Sequence, residues 1–226
     1  MLPLPGEPHP RLPLRDTARR DGPRSALTAF HRQAGPHTLV CGPAGHVLAP
    51  RELVADATRV GPAGRVSARV PARERRLAHA LPARLGLAAL QCPVPDPAAT
   101  DRPADDAVLW LRLGLTQHLM GAVLARLGER TWGDTPLLRL PAAKSALAGV
   151  AIALLETESG LRGAPDDGLD DTTLLLLHQQ VTTMDDALLK LLGAHGLTVS
   201  GPGATAHVSR LLADLYSPSF LLREAA

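Results

Sequence analysis

The sequence predicts a mainly α fold, a four-helix up-down bundle preceded by a small, irregular, β-containing region. Three observations point to it. Hydrophobic residues make up 45% of the 226 residues, enough to build a buried core. Two Phe, two Trp and one Tyr are the entire aromatic complement, so that core rests on Leu, Ala and Val, which suit helices better than a sandwich of strands. Beyond residue 105, apolar residues recur at helical spacing.

Taken in order, residues 1–24 are rich in Pro and charge and read as an extended arm. Residues 25–92 form a small β-containing region. A short helix is expected over Ser25–Gln33, and strands over His37–Cys41, His46–Leu48 and Gly64–Val70, each bounded by Gly or Pro. Pro93, Pro95, Pro97 and Pro103 punctuate a linker over 93–104. The bundle then occupies 105–226. Asp105 and Asp106 suit a helix N-terminus. Leu111, Leu115, Leu119 and Val123 form one apolar stripe, and Leu109, Leu113, Met120 and Leu124 a second, so this first helix has neighbours on two faces. Pro136 opens a second helix running to about Ser159. Asp166, Asp167, Asp170 and Asp171 lead into a third that ends near Leu192, and a fourth covers Ala204–Tyr216.

Charge and composition exclude several classes. Arg outnumbers Lys 22 to 2 in a chain rich in Ala, Gly and Pro, a coding bias that removes most of the meaning from arginine content. Residues 1–104 carry 15 Arg and 8 acids (+7), and residues 105–226 carry 9 basic and 14 acidic groups (−5). The arginines are scattered, without aromatic interleaving or a recognition motif, so they read as solvated surface and no nucleic acid is expected. Cys41 and Cys92 form no metal-spaced pair, and the histidines lack paired ligand spacing. His118 and His178 read as core or edge residues, and no metal site is expected. The longest strongly apolar stretch, Ala146–Leu155, falls short of the roughly 20 residues that cross a bilayer. With no apolar signal region after the proline-rich start, a cytoplasmic protein without a membrane span is expected.

Two segments carry a resemblance. Leu113–Ala148 (LGLTQHLMGAVLARLGERTWGDTPLLRLPAAKSALA) is a helix ending in Glu-Arg, a turn with an aromatic, a glycine and Pro-Leu, and a second helix. Asp185–Asp214 (DDALLKLLGAHGLTVSGPGATAHVSRLLAD) is a helix, a glycine turn and a further helix. Together they resemble the C-terminal bundle of the acyl-CoA dehydrogenases, and Val47–Pro71 resembles the last strands of that family's middle β domain. The resemblance implies that Arg130 reaches the pyrophosphate of an FAD bound mainly by a neighbouring subunit, a role its two-pronged guanidinium suits. It also implies an aromatic contact from Trp132, and a close approach of Gly193, Ala194, His195 and Gly196 to the adenosine-diphosphate end.

Departures are equally specific. Gly133 and Asp134 replace the family's aromatic and glycine at the turn, Lys190 stands for a glutamine, and Ala213 for the arginine before Asp214. The family's catalytic carboxylate would fall at Leu222 or at Leu111, and neither is acidic. Glu224, two residues past the first position, is the nearest carboxylate and reads as a solvated tail charge. The resemblance therefore implies a truncated flavoprotein component acting on an acyl thioester of CoA or a carrier protein, without its own base. It would be a homo-oligomer, or a hetero-oligomer with a full-length acyl-CoA dehydrogenase. A flavin-free bundle with an assembly or binding role is the alternative. The two-faced first helix and the run Leu174–Leu177 expect an oligomer in either case.

Overall fold

The structure, a computed structural model, describes residues 9–62, 65–93, 103–165, 168–198 and 201–217. Its first element corrects the expected arm: residues Leu12–Gln33 form a helix, α1. The prolines do not prevent this because they sit where helices tolerate them. Pro13 lies in the first turn, where its missing N–H has no partner to lose. Pro23 restarts the helix after Gly22, whose φ of 74° and ψ of −165° break the helical path at a kink. A residue before proline must leave the α region, and glycine does so on the left-handed side without a Cβ clash.

Strands β1 (Thr38–Val40) and β2 (His46–Pro50) follow, then helix α2 (Arg51–Asp56), β3 (Arg59–Gly61), β4 (Ser67–Ala68), β5 (Arg75–Leu77), helix α3 (Ala80–Arg84) and β6 (Leu87–Gln91). They form two small sheets. One has the order β1-β3-β4, with β1 and β3 parallel; the other is antiparallel, β2-β6-β5. The strands expected at His37–Cys41 and His46–Leu48 are present as β1 and β2, and β4 falls inside the third expected strand, of which Gly64 lies outside the described residues. Strands β3, β5 and β6 went unforeseen: Arg75-Arg76-Leu77 reads as surface, and Leu87–Gln91 is rich in helix formers.

Two buried side chains join the sheets to each other and to the helices. His31 of α1 accepts the Val40 N–H at Nδ1 (3.0 Å), so its Nε2 donates to the Leu48 carbonyl (2.9 Å). Tyr216 accepts the Leu48 N–H at its hydroxyl oxygen (3.1 Å) and donates to the Val40 carbonyl (3.3 Å). The N–H and C=O of one residue in each sheet are thus satisfied by an imidazole and a phenol in place of a ladder.

The bundle comprises α4 (Pro103–Glu129), α5 (Pro141–Arg162), α6 (Asp171–Leu192) and α7 (Gly203–Tyr216). Its start points match those expected except at the second helix. Pro136 closes a two-stranded hairpin, β7 (Thr131–Trp132) with β8 (Thr135–Pro136), a 3-10 turn follows at Leu137–Arg139, and Pro141 opens α5. Asp170 caps α6 by accepting the Thr173 N–H (3.0 Å). Registers fix the directions. Arg112 donates to Thr182 and Thr116 to Asp185, so α4 and α6 run parallel, while Arg15 of α1 ties to Glu158 near the end of α5.

The two-faced helix serves two cores. Leu109, Leu113, Leu119 and Val123 of α4 pack with Val150 and Leu154 of α5 and with Val181, Met184 and Leu188 of α6. Val108, Leu111 and Leu115 pack with Leu14, Ala18 and Leu27 of α1, Leu48 and Leu87 of the sheet, and Val208 and Leu212 of α7. Where α1 crosses α4 the backbones nearly touch: a Cβ on Gly114 would lie 2.3 Å from the Arg15 carbonyl oxygen and 2.7 Å from Ala18 Cβ. α4 also supersedes Ala146–Leu155 as the most membrane-like stretch. Its Asp106–Glu129 segment is long and apolar enough to span a bilayer (mean hydropathy 1.3), yet 67% of its most apolar stretch is buried inside the fold, as in a core helix.

Candidate functional site

Because α4 and α6 run parallel, both point to one end of the bundle, and the pairing of Arg112 with Thr182 and of Thr116 with Asp185 ends α6 about two turns short of the end of α4. There α4 passes into Arg130 and the β7–β8 hairpin, whose tip is Gly133 at φ 57°, a left-handed turn that favours glycine. The Leu137 N–H closes the loop on the Arg130 carbonyl at 2.7 Å. The Arg130 side chain is exposed and makes no hydrogen bond or ion pair with any described residue. Trp132 is 75% exposed and makes no ring contact with a described residue. Asp134 stands exposed two residues further along.

α6 stops at Gly193 (φ 57°, ψ −139°), and Gly193–Leu197 form a 3-10 turn. A Cβ on Gly193 would meet nothing within 4 Å, and Ala194 and His195 are exposed. Gly196 has a different reason to be glycine. It is buried, and a Cβ on it would lie 3.1 Å from Leu192 Cβ and 3.2 Å from the Leu189 carbonyl oxygen; Gly203 at the start of α7 is tighter still, since a Cβ there would fall 1.6 Å from the Gly196 carbonyl oxygen. The structure thus places Arg130 and Trp132 just after α4, and Gly193, Ala194 and His195 just after α6, all exposed, and assigns Gly196 to packing. Glu224 and Leu222 lie outside the described residues.

The other position for a base has a definite environment. Leu111 is fully buried in the core shared with α1 and α7. Next to it, Arg112 is the hub of a buried polar cluster that sequence reading missed. Arg112 donates to Ser209 Oγ (3.1 Å), Thr182 Oγ1 (2.8 Å), and His178 at both Nδ1 (2.7 Å) and the carbonyl (3.0 Å). Thr116 donates to Asp185 Oδ1 (2.7 Å). Burial lowers the Arg112 pKa to about 10 and raises that of Asp185 to about 6, while burial and the Arg112 charge hold His178 down at about 3. At neutral pH the cluster therefore holds one buried cation, one nearby carboxylate and one neutral imidazole. A lone Arg in an apolar helix, opposite His178, Thr182 and Asp185 at i, i+4 and i+7, was the signal available in the sequence.

The end of α4 offers a guanidinium with no partner among the described residues and an exposed ring, and the end of α6 an open glycine, groups of the kind that can touch the rim of an adenosine diphosphate. The exposed Asp134 carboxylate opposes a phosphate there.

No family model and no curated protein sequence matches the chain. Solved structures do. A variant of the Tcur3481-Tcur3483 steroid ACAD superposes with a TM-score of 0.53 at 17% identity, covering 83% of this chain and 60% of that one. A glutaryl-CoA dehydrogenase from Mycobacterium smegmatis, in complex with FADH2, gives 0.51 at 15% identity over 70% of this chain and 50% of that one. At such identities the likeness is one of fold: the chain has an acyl-CoA dehydrogenase-like fold and spans 60% and 50% of the length of those two chains.

Proposed function

We propose that the chain is an acyl-CoA dehydrogenase-like subunit that lends the α4 and α6 ends of its bundle to the FAD site of a partner and has no acyl-thioester site of its own. One contrast carries this reading. The helix ends bearing Arg130, Trp132 and Gly193 are open, whereas the α4 face at Leu111, where the resemblance implies a base, is sealed by α1. In such an assembly Arg130 would hold a pyrophosphate oxygen pair and Trp132 would cover an apolar edge of the dinucleotide. The flavin would supply the hydride acceptor, and the partner the base and the pocket for an acyl-CoA or acyl-carrier thioester. Ile152 and Leu155 of α5 and Leu176 of α6, exposed by 57%, 68% and 59%, support assembly through the outer bundle face.

The test is co-purification with an acyl-CoA dehydrogenase encoded beside this chain, with visible absorbance measuring flavin content. A stable complex should hold flavin that the Arg130→Ala variant holds about tenfold more weakly or worse, the scale of a lost charge-assisted hydrogen bond. A stable complex whose flavin affinity ignores both Arg130→Ala and Trp132→Ala would refute the shared site. It would favour the flavin-free assembly role that Asp134 supports.

A further inference from the structure

The β-containing region holds a cleft that the flavin-side reading leaves unused. It lies between α2, α3 and strands β5 and β6, with a volume of about 720 Å³. That is within the range of roughly 300–1,000 Å³ typical of small-molecule sites. Val54, Pro71, Leu77 and Pro82 give it apolar walls. Its charged lining is entirely cationic: Arg51, Arg69 and Arg76, with His79 beside them, and no acidic side chain among the described residues.

The cations are not equivalent. Arg69 is structural. Its side chain is 7% exposed, pairs with Glu74 at 2.6 and 2.8 Å, and donates to the Val54 and Ala57 carbonyls, pinning α2 over the sheet. Arg51 and Arg76 are exposed and pair with no carboxylate among the described residues. Arg51 donates to the Ala83 carbonyl at 3.1 Å, and Arg76 makes no hydrogen bond or ion pair with a described residue. Two uncompensated guanidiniums above an apolar floor make a site with both a charge preference and a hydrophobic one. The volume is far beyond what a bare ion needs, since a water's share of liquid is about 30 Å³.

We propose that this cleft binds an amphipathic anion, with a carboxylate or phosphate-ester head at Arg51 and Arg76 and an apolar chain against Val54, Pro71 and Leu77. The inference is independent of flavin and of any partner, so it stands or falls apart from the proposed function.

Isothermal titration of the isolated full chain with octanoate, octyl phosphate, octanamide and inorganic phosphate tests it. One saturable site is expected for octanoate, octyl phosphate or both, and which anion binds tells a free acid from a phosphate ester. Octanamide and inorganic phosphate should each bind at least tenfold more weakly, since each lacks half of the interaction. Arg51→Gln and Arg76→Gln should each weaken the anion about tenfold. Both positions are exposed, so their circular dichroism spectra should match the parent. Val54→Trp, which fills the floor, should abolish binding of the chain-bearing anion. The proposal is overturned if neither anion shows a saturable site, if octanamide binds as tightly, or if affinity is unchanged in the Arg51→Gln/Arg76→Gln double variant.

Discussion

His31 and Tyr216 do at residue scale what a shared sheet would do with many residues. Each has two partners on Val40 and Leu48, so the loss of either leaves buried backbone groups unpaired. Tyr216→Phe should cost about 1–3 kcal/mol by stranding the Leu48 N–H, read as a lower urea midpoint at unchanged m. The imidazoles also set an acid limit. Burial lowers His31 from 6.5 to about 4, and burial with the Arg112 charge lowers His178 from 6.5 to about 3. The unfolded chain takes up both protons near pH 6.5 and the folded chain does not, so stability is lost as pH falls below that value. Asp185 acts in the opposite sense. Burial raises it from 3.8 to about 6, so the folded state binds its proton first and gains as pH falls. From pH 7 to 5 the two histidines withdraw about 2 kcal/mol each and Asp185 returns about 1, a net loss of roughly 3 kcal/mol. Urea unfolding at the two pH values checks this; equal stability would contradict neutral, buried imidazoles. His178 was legible as a core residue because it sits in an amphipathic helix. Nothing in the local sequence marks His31, whose partners lie 9 and 17 residues away on two strands.

Helices were the legible elements, and the failures share one cause. The starts of α4, α6 and α7 follow from apolar period, Asp170 as cap and the breaks between them, all of them local signals. The helix at Leu12–Gln33 was hidden because its prolines were read for their presence and not their position: one lies in the first turn, and one just after a glycine able to adopt φ 74°. The delayed start of α5 has the same origin, since Pro136 and Pro141 both suit a helix opening and only the hairpin pairing of Thr131 with Pro136 decides between them. Strands β5 and β6 depend on one another across the sheet, a non-local contact that composition does not report. α1 supplies the sharpest test at this scale. It approaches α4 at Gly114 so closely that a side chain there collides with backbone at Arg15, which cannot rotate away. Gly114→Val should therefore destabilise by about 1–3 kcal/mol or more despite better helix propensity, whereas Gly121→Ala on the same helix, with nothing within 4 Å, should be neutral or stabilising by up to about 1 kcal/mol. Thermal melts of the two variants separate the readings; similar shifts would mean that α1 does not dock as described.

For the whole molecule, the decisive feature is which of its surfaces are free. The outer faces of α5 and α6 present Ile152, Leu155 and Leu176, and of the run Leu174–Leu177 it is Leu176 that points outward while Leu174 is buried. If these residues meet a second subunit, Leu155→Asp with Leu176→Asp should shift the light-scattering mass to that of one chain without lowering the melting temperature of the monomer. An unchanged mass would place the interface elsewhere. Arg130, Trp132 and Gly193 could be singled out in the sequence because they follow helix ends at fixed offsets. The sealing of α4 was not, because it depends on where α1 docks.

That sealing leads to a prediction that separates a missing base from a missing site. If only the carboxylate had been lost, restoring it at Leu111 would restore a catalytic group next to Arg112. Leu111, however, is fully buried among Leu14, Ala18 and Leu27 of α1 and Val208 and Leu212 of α7. A glutamate there is an unpaired carboxylate in an apolar core, which costs several kcal/mol when ionised and shifts its pKa upward in response. Leu111→Glu should therefore lower the melting temperature, and lower it more at pH 8 than at pH 5, because an acid whose folded pKa is raised loses stability as pH rises through the interval between its unfolded and folded values. Oxidation of acyl-CoA, followed with an artificial electron acceptor and added FAD, should stay at the blank rate for the parent chain and the variant alike. Turnover gained by Leu111→Glu would show that an acyl group reaches α4 after all, and with it that this chain houses a complete site beneath α1.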